Sequence, residues 1–259
     1  MIRIDRGDGN PRENLNLVAD PAKNLPESEK RVLEKLFPEI TEREAALLTR
    51  IAPFTLTSPE RQWALLKAVE YLNANSIPGD IVECGVWRGG SSMLAKELCH
   101  SSHINRKFYL FDTFTGMSAP TAADVSIHGL SAEVKYRDKK RRQHENRSFA
   151  SVDEVRENFR RAGLLDERVI FVKGMVEDTL REPGNLSERI ALLRLDTDFY
   201  ESTKVELEIL YPRLVSGGIL IIDDYGHWQG ARKATDEYFA AAHPFFIRID
   251  YTGRLIVKR

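Results

Sequence analysis

The chain has 259 residues, 42% hydrophobic and 30% charged, enough to bury a full core and too apolar for disorder to be the default. Its formal net charge of -1 removes the simplest electrostatic case for a nucleic-acid or anionic-membrane partner and favours a small neutral or mildly polar one. Two cysteines, Cys84 and Cys99, exclude a disulfide framework and a cysteine-based zinc site. With no run near the ~20 apolar residues of a membrane span and a charged start unlike a signal-peptide core, a reducing, cytoplasmic setting is expected.

Residues 1 to about 30 are polar and carry Pro11, Pro21 and Pro26, the composition of an arm that wraps the surface or extends toward another subunit of a homo-oligomer. Apolar residues at three- and four-residue spacing predict helices over 28–37 and 41–51, and Thr41-Glu-Arg-Glu44 supplies a capping box for the second. Ser58 as N-cap and Pro59 at the first helical position open a third helix that runs through 72. From residue 77, short apolar runs alternate with helical segments, the pattern of a parallel sheet covered on both faces. Strands are expected at 81–86, 108–112, 169–172, 190–195 and 218–222, and helices at 91–98, 152–162, 200–210 and 230–241. Two last strands, 245–249 and 254–257, flank Asp250-Tyr-Thr-Gly253, whose glycine suits a hairpin turn, so the final strand is expected to run antiparallel. The whole predicts an α/β three-layer sandwich on a seven-stranded, mostly parallel sheet, with 1–56 as an N-terminal helical extension to a domain over 57–259. Between 113 and 148 lies a long stretch without periodicity, a length that marks a functional lid or a disordered connection. Its Lys139-Lys-Arg-Arg142 run reads as a solvated face or as a grip for an acidic substrate or a neighbouring subunit.

In an open α/β sheet, ligands sit outside the carboxyl ends of the strands, and there this sequence places its acids. Gly85, Gly89 and Gly90 follow the first sheet strand and precede a helix, a turn in which backbone can approach a ligand closely. The spacing is neither a P-loop nor the dinucleotide fingerprint. Glu83 would repel a pyrophosphate and attract an ammonium or sulfonium, and Asp112, ending the next strand, suits the two hydroxyls of a ribose. Together they favour S-adenosylmethionine over NAD, although either acid alone could be a helix cap or a surface carboxylate.

Asp196 and Asp198 would share one side of the backbone if strand geometry persists, and Asp223 and Asp224 end the adjacent strand. Four such carboxylates repel one another strongly unless some are protonated or a cation lies among them. Oxygen-only ligation favours a hard ion, Mg2+ first and Mn2+ or Ca2+ next, held by Asp196, Asp223 and Asp224. Asp198 is then free to act as general base, with His227 as its rival because imidazole titrates near neutrality. The alternative is that these acids cap the following helices.

Four motifs, Pro78-Gly-Asp-Ile-Val-Glu-Cys-Gly-Val-Trp-Arg-Gly-Gly90, Tyr109-Leu-Phe-Asp-Thr-Phe-Thr-Gly-Met117, Leu193-Arg-Leu-Asp-Thr-Asp-Phe-Tyr-Glu-Ser-Thr203 and Gly217-Gly-Ile-Leu-Ile-Ile-Asp-Asp-Tyr-Gly226, closely resemble the macrocin-type O-methyltransferases, which include enzymes that methylate macrolide sugars and the noviose sugar of aminocoumarin antibiotics. The resemblance spans about 57–239 and implies a class I, Rossmann-like methyltransferase fold, S-adenosylmethionine, and Mg2+-dependent transfer to a sugar hydroxyl of a small-molecule glycoside in natural-product biosynthesis. By motif it places Glu83 and the turn of Gly85, Val86, Gly89 and Ser91 on the methionine part of the cofactor and Asp112 on its ribose, with Asp196 bordering both cofactor and metal. Gly174, Met175 and Val176 would lie near the adenine with Ser151 and Val152, Thr57 and Arg61 would cover the cofactor from the N-terminal side, and 226–232 would form the substrate-side loop. Methylation of a catechol-like phenol, or a non-catalytic binding protein on the same fold, are the competing expectations.

Overall fold

The computed structural model describes residues 27–134, 136 and 149–259, so the proline-bearing arm and the Lys139–Arg142 run lie outside the described residues. Three helices lead in: α1 (Glu27–Leu36), α2 (Glu42–Ile51) and α3 (Pro59–Ala74). The capping box forms at α2, where the Thr41 backbone N–H donates to the Glu44 carboxylate at 2.7 Å and the Glu44 N–H to the Thr41 hydroxyl at 3.3 Å. Ser58 caps α3 by accepting the Arg61 N–H.

The alternating part of the chain folds as β1 (Asp80–Cys84), α4 (Gly90–Ser101), β2 (Phe108–Asp112), α5 (Val152–Arg161), β3 (Val169–Lys173), the short α6 (Val176–Thr179), β4 (Ile190–Leu195), α7 (Tyr200–Leu210), β5 (Leu214–Ile222), α8 (Gln229–Tyr238), β6 (Ile247–Arg248) and β7 (Arg254–Val257). They make one seven-stranded sheet of order β3-β2-β1-β4-β5-β7-β6, in which β7 runs antiparallel to both of its neighbours, as the terminal hairpin requires. Alternate residues of the inner strands feed two cores. Ile81, Leu110 and Ile221 join a cluster with α2 to α5, whereas Val82, Phe111, Leu193 and Leu220 join another with α7. Leu48, Ile51 and Phe54 belong to the first cluster, so residues before 57 share the core of the sheet.

The register positions the site. Cys84 pairs with Phe111 on one side and Leu195 on the other, and Leu195 pairs with Ile222, so four strand ends lie level. The residues that follow, Gly85, Asp112, Asp196 and Asp223, therefore emerge along one edge.

Strand and turn boundaries depart from the sequence expectation for local reasons. β1 stops at Cys84 instead of 86 because Gly85 turns at φ +85°, pressed against the backbone carbonyl of Asp196. β5 begins four residues early and β6 is confined to two residues. The final turn is organised by a side chain and not by glycine freedom: Gly253 has no positive φ, and the Asp250 carboxylate accepts the N–H groups of Thr252 at 2.9 Å and Gly253 at 2.6 Å. At Gly85 the requirement is real, since a Cβ would overlap the Asp196 carbonyl and the φ is left-handed. Gly85→Ala is expected to cost at least about 2 kcal/mol, seen as a lower urea midpoint at unchanged slope; an unshifted midpoint would show that the junction tolerates a side chain.

Candidate active site

A cavity of about 490 Å³ opens at the level strand ends. Its cofactor-side lining includes Thr57, Glu83, Gly85, Val86, Ser91 and Asp112, and further round Gly174, Met175 and Val176. Arg61, Asp196, Asp198, Asp223, Asp224 and His227 complete the acidic end. Gly89, Ser151 and Val152 do not line it. Gly89, at φ +90°, caps α4 against the Phe159 ring, Ser151 caps α5 by accepting the Glu154 N–H at 3.1 Å, and Val152 packs on the core. These three shape the helix ends that frame the cavity.

Asp112 is already at work in the fold. Its carboxylate accepts the backbone N–H groups of Val86 at 2.8 Å, Trp87 at 3.1 Å and Phe114 at 2.8 Å, which fills most of a carboxylate's roughly four acceptor sites. It therefore sculpts the glycine turn as well as lining the cavity.

The acidic end contains a group that the sequence reasoning passed over. Arg194, on β4 and 3% exposed, is the register partner of Glu83. Its guanidinium donates through Nη1 to Glu83 at 2.7 Å and through Nη2 to Asp223 at 2.8 Å, and Nη2 also meets Asp196 at 2.9 Å. The other oxygen of Glu83 accepts the Ser92 hydroxyl, so the acid that the sequence offers to an ammonium or sulfonium has partners within the fold at both oxygens. Arg61 reaches in from α3 to the second oxygen of Asp223 and pairs with Asp250 at 3.1 Å. A proton or a metal ion is thus not the sole answer to crowded carboxylates; guanidinium groups supply part of the compensation. The signal was in the sequence. An arginine inside the buried run Leu192-Leu193-Arg194-Leu195 must be paired.

Compensation is incomplete. As formal charges before any proton is bound, Glu83, Asp196, Asp198, Asp223 and Asp224 outnumber the guanidinium groups of Arg61 and Arg194, and Arg61 is shared with Asp250. Asp196, Asp223 and Asp224 each bring an oxygen within 4.8 Å of the others. Burial first, then repulsion from Asp223 and Asp224, pushes the Asp196 carboxyl well above its ordinary range despite Arg194. Asp224 is raised likewise by burial and by Asp198 and Asp223. Converging oxygen donors with surplus negative charge fit a hard divalent cation.

Asp198 does not continue the strand. β4 ends at Leu195, and Asp198 adopts φ +71°, so the turn and not strand alternation aims it into the cavity. Its N–H donates to Asp224 at 3.1 Å, and its carboxylate accepts the Trp228 Nε1–H at 2.7 Å. The His227 Nδ1 lies 3.4 Å from the Tyr251 hydroxyl. Trp228, within the 226–232 loop expected on the substrate side, also lines the cavity, and so does Tyr251, which was not anticipated. The long connection lines the cavity with Thr113, Gly116, Met117 and Ser118, and further along it is bonded to neighbouring segments: the Ile127 N–H donates to His227 O, the Gln229 N–H donates to Val125 O, and the fully buried Asp124 accepts the Tyr200 N–H at 2.9 Å at the start of α7.

This strand order, with acids at successive strand ends around one cavity, is a class I methyltransferase fold. The chain belongs to the macrocin O-methyltransferase family: the family described as Macrocin-O-methyltransferase (TylF) matches residues 13–256, which makes the protein an S-adenosylmethionine-dependent O-methyltransferase. It is similar to the 8-demethyl-8-(2,3-dimethoxy-alpha-L-rhamnosyl)-tetracenomycin-C 4'-O-methyltransferase of Streptomyces olivaceus, 39% identical over 187 residues that cover 71% of this chain and 67% of the relative. The demethyldecarbamoylnovobiocin O-methyltransferase of Streptomyces niveus is 37% identical over 189 residues, 72% of this chain and 68% of its own. Among solved structures, the O-methyltransferase NovP superposes with a TM-score of 0.68 at 34% identity, covering 79% of this chain and 82% of that one. The calicheamicin methyltransferase CalS11, at 21% identity and a TM-score of 0.59 over 90% of this chain and 93% of its own, shares the fold.

Two outcomes follow for the charge network. Arg194→Met strands buried carboxylates and is expected to cost about 3–5 kcal/mol in urea unfolding; a loss below about 1 kcal/mol would mean that the acids are compensated elsewhere. In protein stripped of divalent ions, the carboxyls of folded Asp196 and Asp224 lose their protons at higher pH than in the unfolded chain, where aspartate titrates at about 4. Stability should therefore fall as pH rises from that value toward neutrality, and Asp224→Asn should flatten the slope. A wild-type slope of the opposite sign, or one indifferent to Asp224, would contradict the assignment.

Proposed function

We propose that the protein methylates a hydroxyl of a sugar carried by a small-molecule natural product, with Mg2+ held by Asp196, Asp223 and Asp224. The convergence of these three carboxylates, left with surplus negative charge beside the cofactor cavity, carries the metal half of this reading. Relatives named for glycosylated antibiotics support the acceptor half. The free, buried thiols of Cys84 and Cys99 support a reducing, cytoplasmic setting, and no helix among the described residues is long and apolar enough to cross a membrane.

When bound, the ion would supply Lewis acidity that lowers the pKa of a coordinated hydroxyl, a group otherwise about as acidic as water and a poor match for a carboxylate base. The residues of the chain do the rest. The Gly85 to Ser91 turn, shaped by Asp112, faces the methionine part of the donor, and the 174–176 segment faces its adenine. Asp198, oriented by the Trp228 N–H, accepts the hydroxyl proton as the oxygen attacks the sulfonium methyl and the thioether leaves. Val125 to Ile127, bonded to the 227–229 backbone, help close the acceptor side.

Methyl transfer to a panel of glycosides and phenols should be abolished by a chelator and restored by Mg2+, with glycosides preferred. Full turnover in excess chelator would remove the metal, and preference for phenols would remove the sugar. Asp198→Asn should lower kcat by roughly 10²- to 10⁴-fold, while calorimetry shows unchanged S-adenosylmethionine binding. Near-normal turnover in that variant would shift the role of base to His227.

A further inference from the structure

Glu206 lies on α7 directly beneath the site and is fully buried. Among the described residues, no lysine or arginine pairs with it. Its two oxygens instead lie 3.0 and 3.2 Å from the Thr197 hydroxyl. That contact comes from the place that matters for the site: Thr197 is the centre of the turn between Asp196 and Asp198.

That turn needs holding. β4 has ended, Asp198 is in a left-handed conformation that a non-glycine residue adopts at a cost, and Asp196 is repelled by Asp223 and Asp224. The Asp196 N–H is tied to Cys84 O at 2.8 Å. Burying a carboxyl group without a counter-ion is expensive unless it is neutral and hydrogen-bonded. Burial, with Glu177 and Asp224 adding to it, raises Glu206 well above the ordinary carboxyl range, consistent with a neutral, bridging group.

We infer that Glu206 is a positioning residue: through Thr197 it braces the Asp196–Asp198 turn against α7, and so sets the ion-binding and proton-accepting carboxylates without touching any reactant. This rests on the metal reading above. Outer groups that orient metal ligands typically cost 10- to 100-fold in metal affinity or activity when lost.

The test compares wild-type protein with Glu206→Gln, Glu206→Leu and Thr197→Val. Each is assayed for Mn2+ binding by electron paramagnetic resonance, for S-adenosylmethionine binding by calorimetry, and for steady-state turnover. The amide of Glu206→Gln keeps an acceptor for the Thr197 hydroxyl, so Mn2+ affinity and kcat should stay within about threefold of wild type. Glu206→Leu and Thr197→Val each remove the brace and should weaken Mn2+ binding and lower kcat by roughly tenfold or more, with cofactor affinity little changed. Normal Mn2+ affinity and kcat in Glu206→Leu would overturn the inference, as would a Gln variant as impaired as the Leu one. If Glu206→Leu does not fold, Thr197→Val decides between the same outcomes. Wild-type protein that turns over without binding Mn2+ would overturn the metal reading, and the kcat series would then decide the brace separately.

Discussion

The buried guanidinium of Arg194 is the interaction on which the site depends. It stands at the register position beside Glu83 and holds one oxygen each of Glu83, Asp196 and Asp223, residues from three strands. Without it, like charges would face one another in a medium that screens them poorly. Burying such a network is an inefficient way to gain stability, since apolar packing often does as well. What it supplies is direction: carboxylates tied to a fixed cation cannot rotate freely, and those of Glu83 and Asp223 are held at both oxygens, by Arg194 with Ser92 and by Arg194 with Arg61. The same cation leaves the balance negative. A site neutralised by arginines would have no use for a metal ion, and one with none would have difficulty folding.

Around this floor, function is distributed between rigid and variable parts. The cofactor side is built by backbone: Gly85 and Gly89 at positive φ, and three N–H groups gathered by Asp112, make a turn whose shape scarcely depends on which ligand arrives. The acceptor side is built by loops that meet each other. Backbone hydrogen bonds join Val125 and Ile127 to the segment bearing His227 and Trp228, and Phe199, Trp228 and Ala231 pack with Ala132 beneath. Binding and selectivity commonly reside on such loops, held by a scaffold that does not change.

Much of this was legible in the sequence. The seven strands and the antiparallel end followed from apolar runs and turn residues, and the convergence of Asp112, Asp196 and Asp223 followed from the rule that parallel strand ends share one edge. What escaped was non-local. Which cation answers which acid depends on register, so Arg194 looked like part of a motif and not like the partner of Glu83. Local periodicity likewise could not show that Asp198 turns left-handed after the strand, that Ser151 would be spent on a helix cap, or that Asp250 and not Gly253 would organise the last turn. The order between 113 and 134 was invisible because it rests on bonds to residues 76 and 103 positions away.

The central claim is that Asp196, Asp223 and Asp224 clasp one hard ion next to the methyl donor while Arg194 holds them from behind. A crystal structure with S-adenosylhomocysteine and Mn2+, phased to show the anomalous signal of the metal, addresses it directly. The account predicts a single peak at roughly 2.0–2.3 Å from an oxygen of each of the three aspartates, with the thioether beside it and Arg194 still bonded to Glu83. Cofactor bound in the cavity with no peak between those carboxylates, at Mn2+ concentrations that saturate turnover, would contradict it.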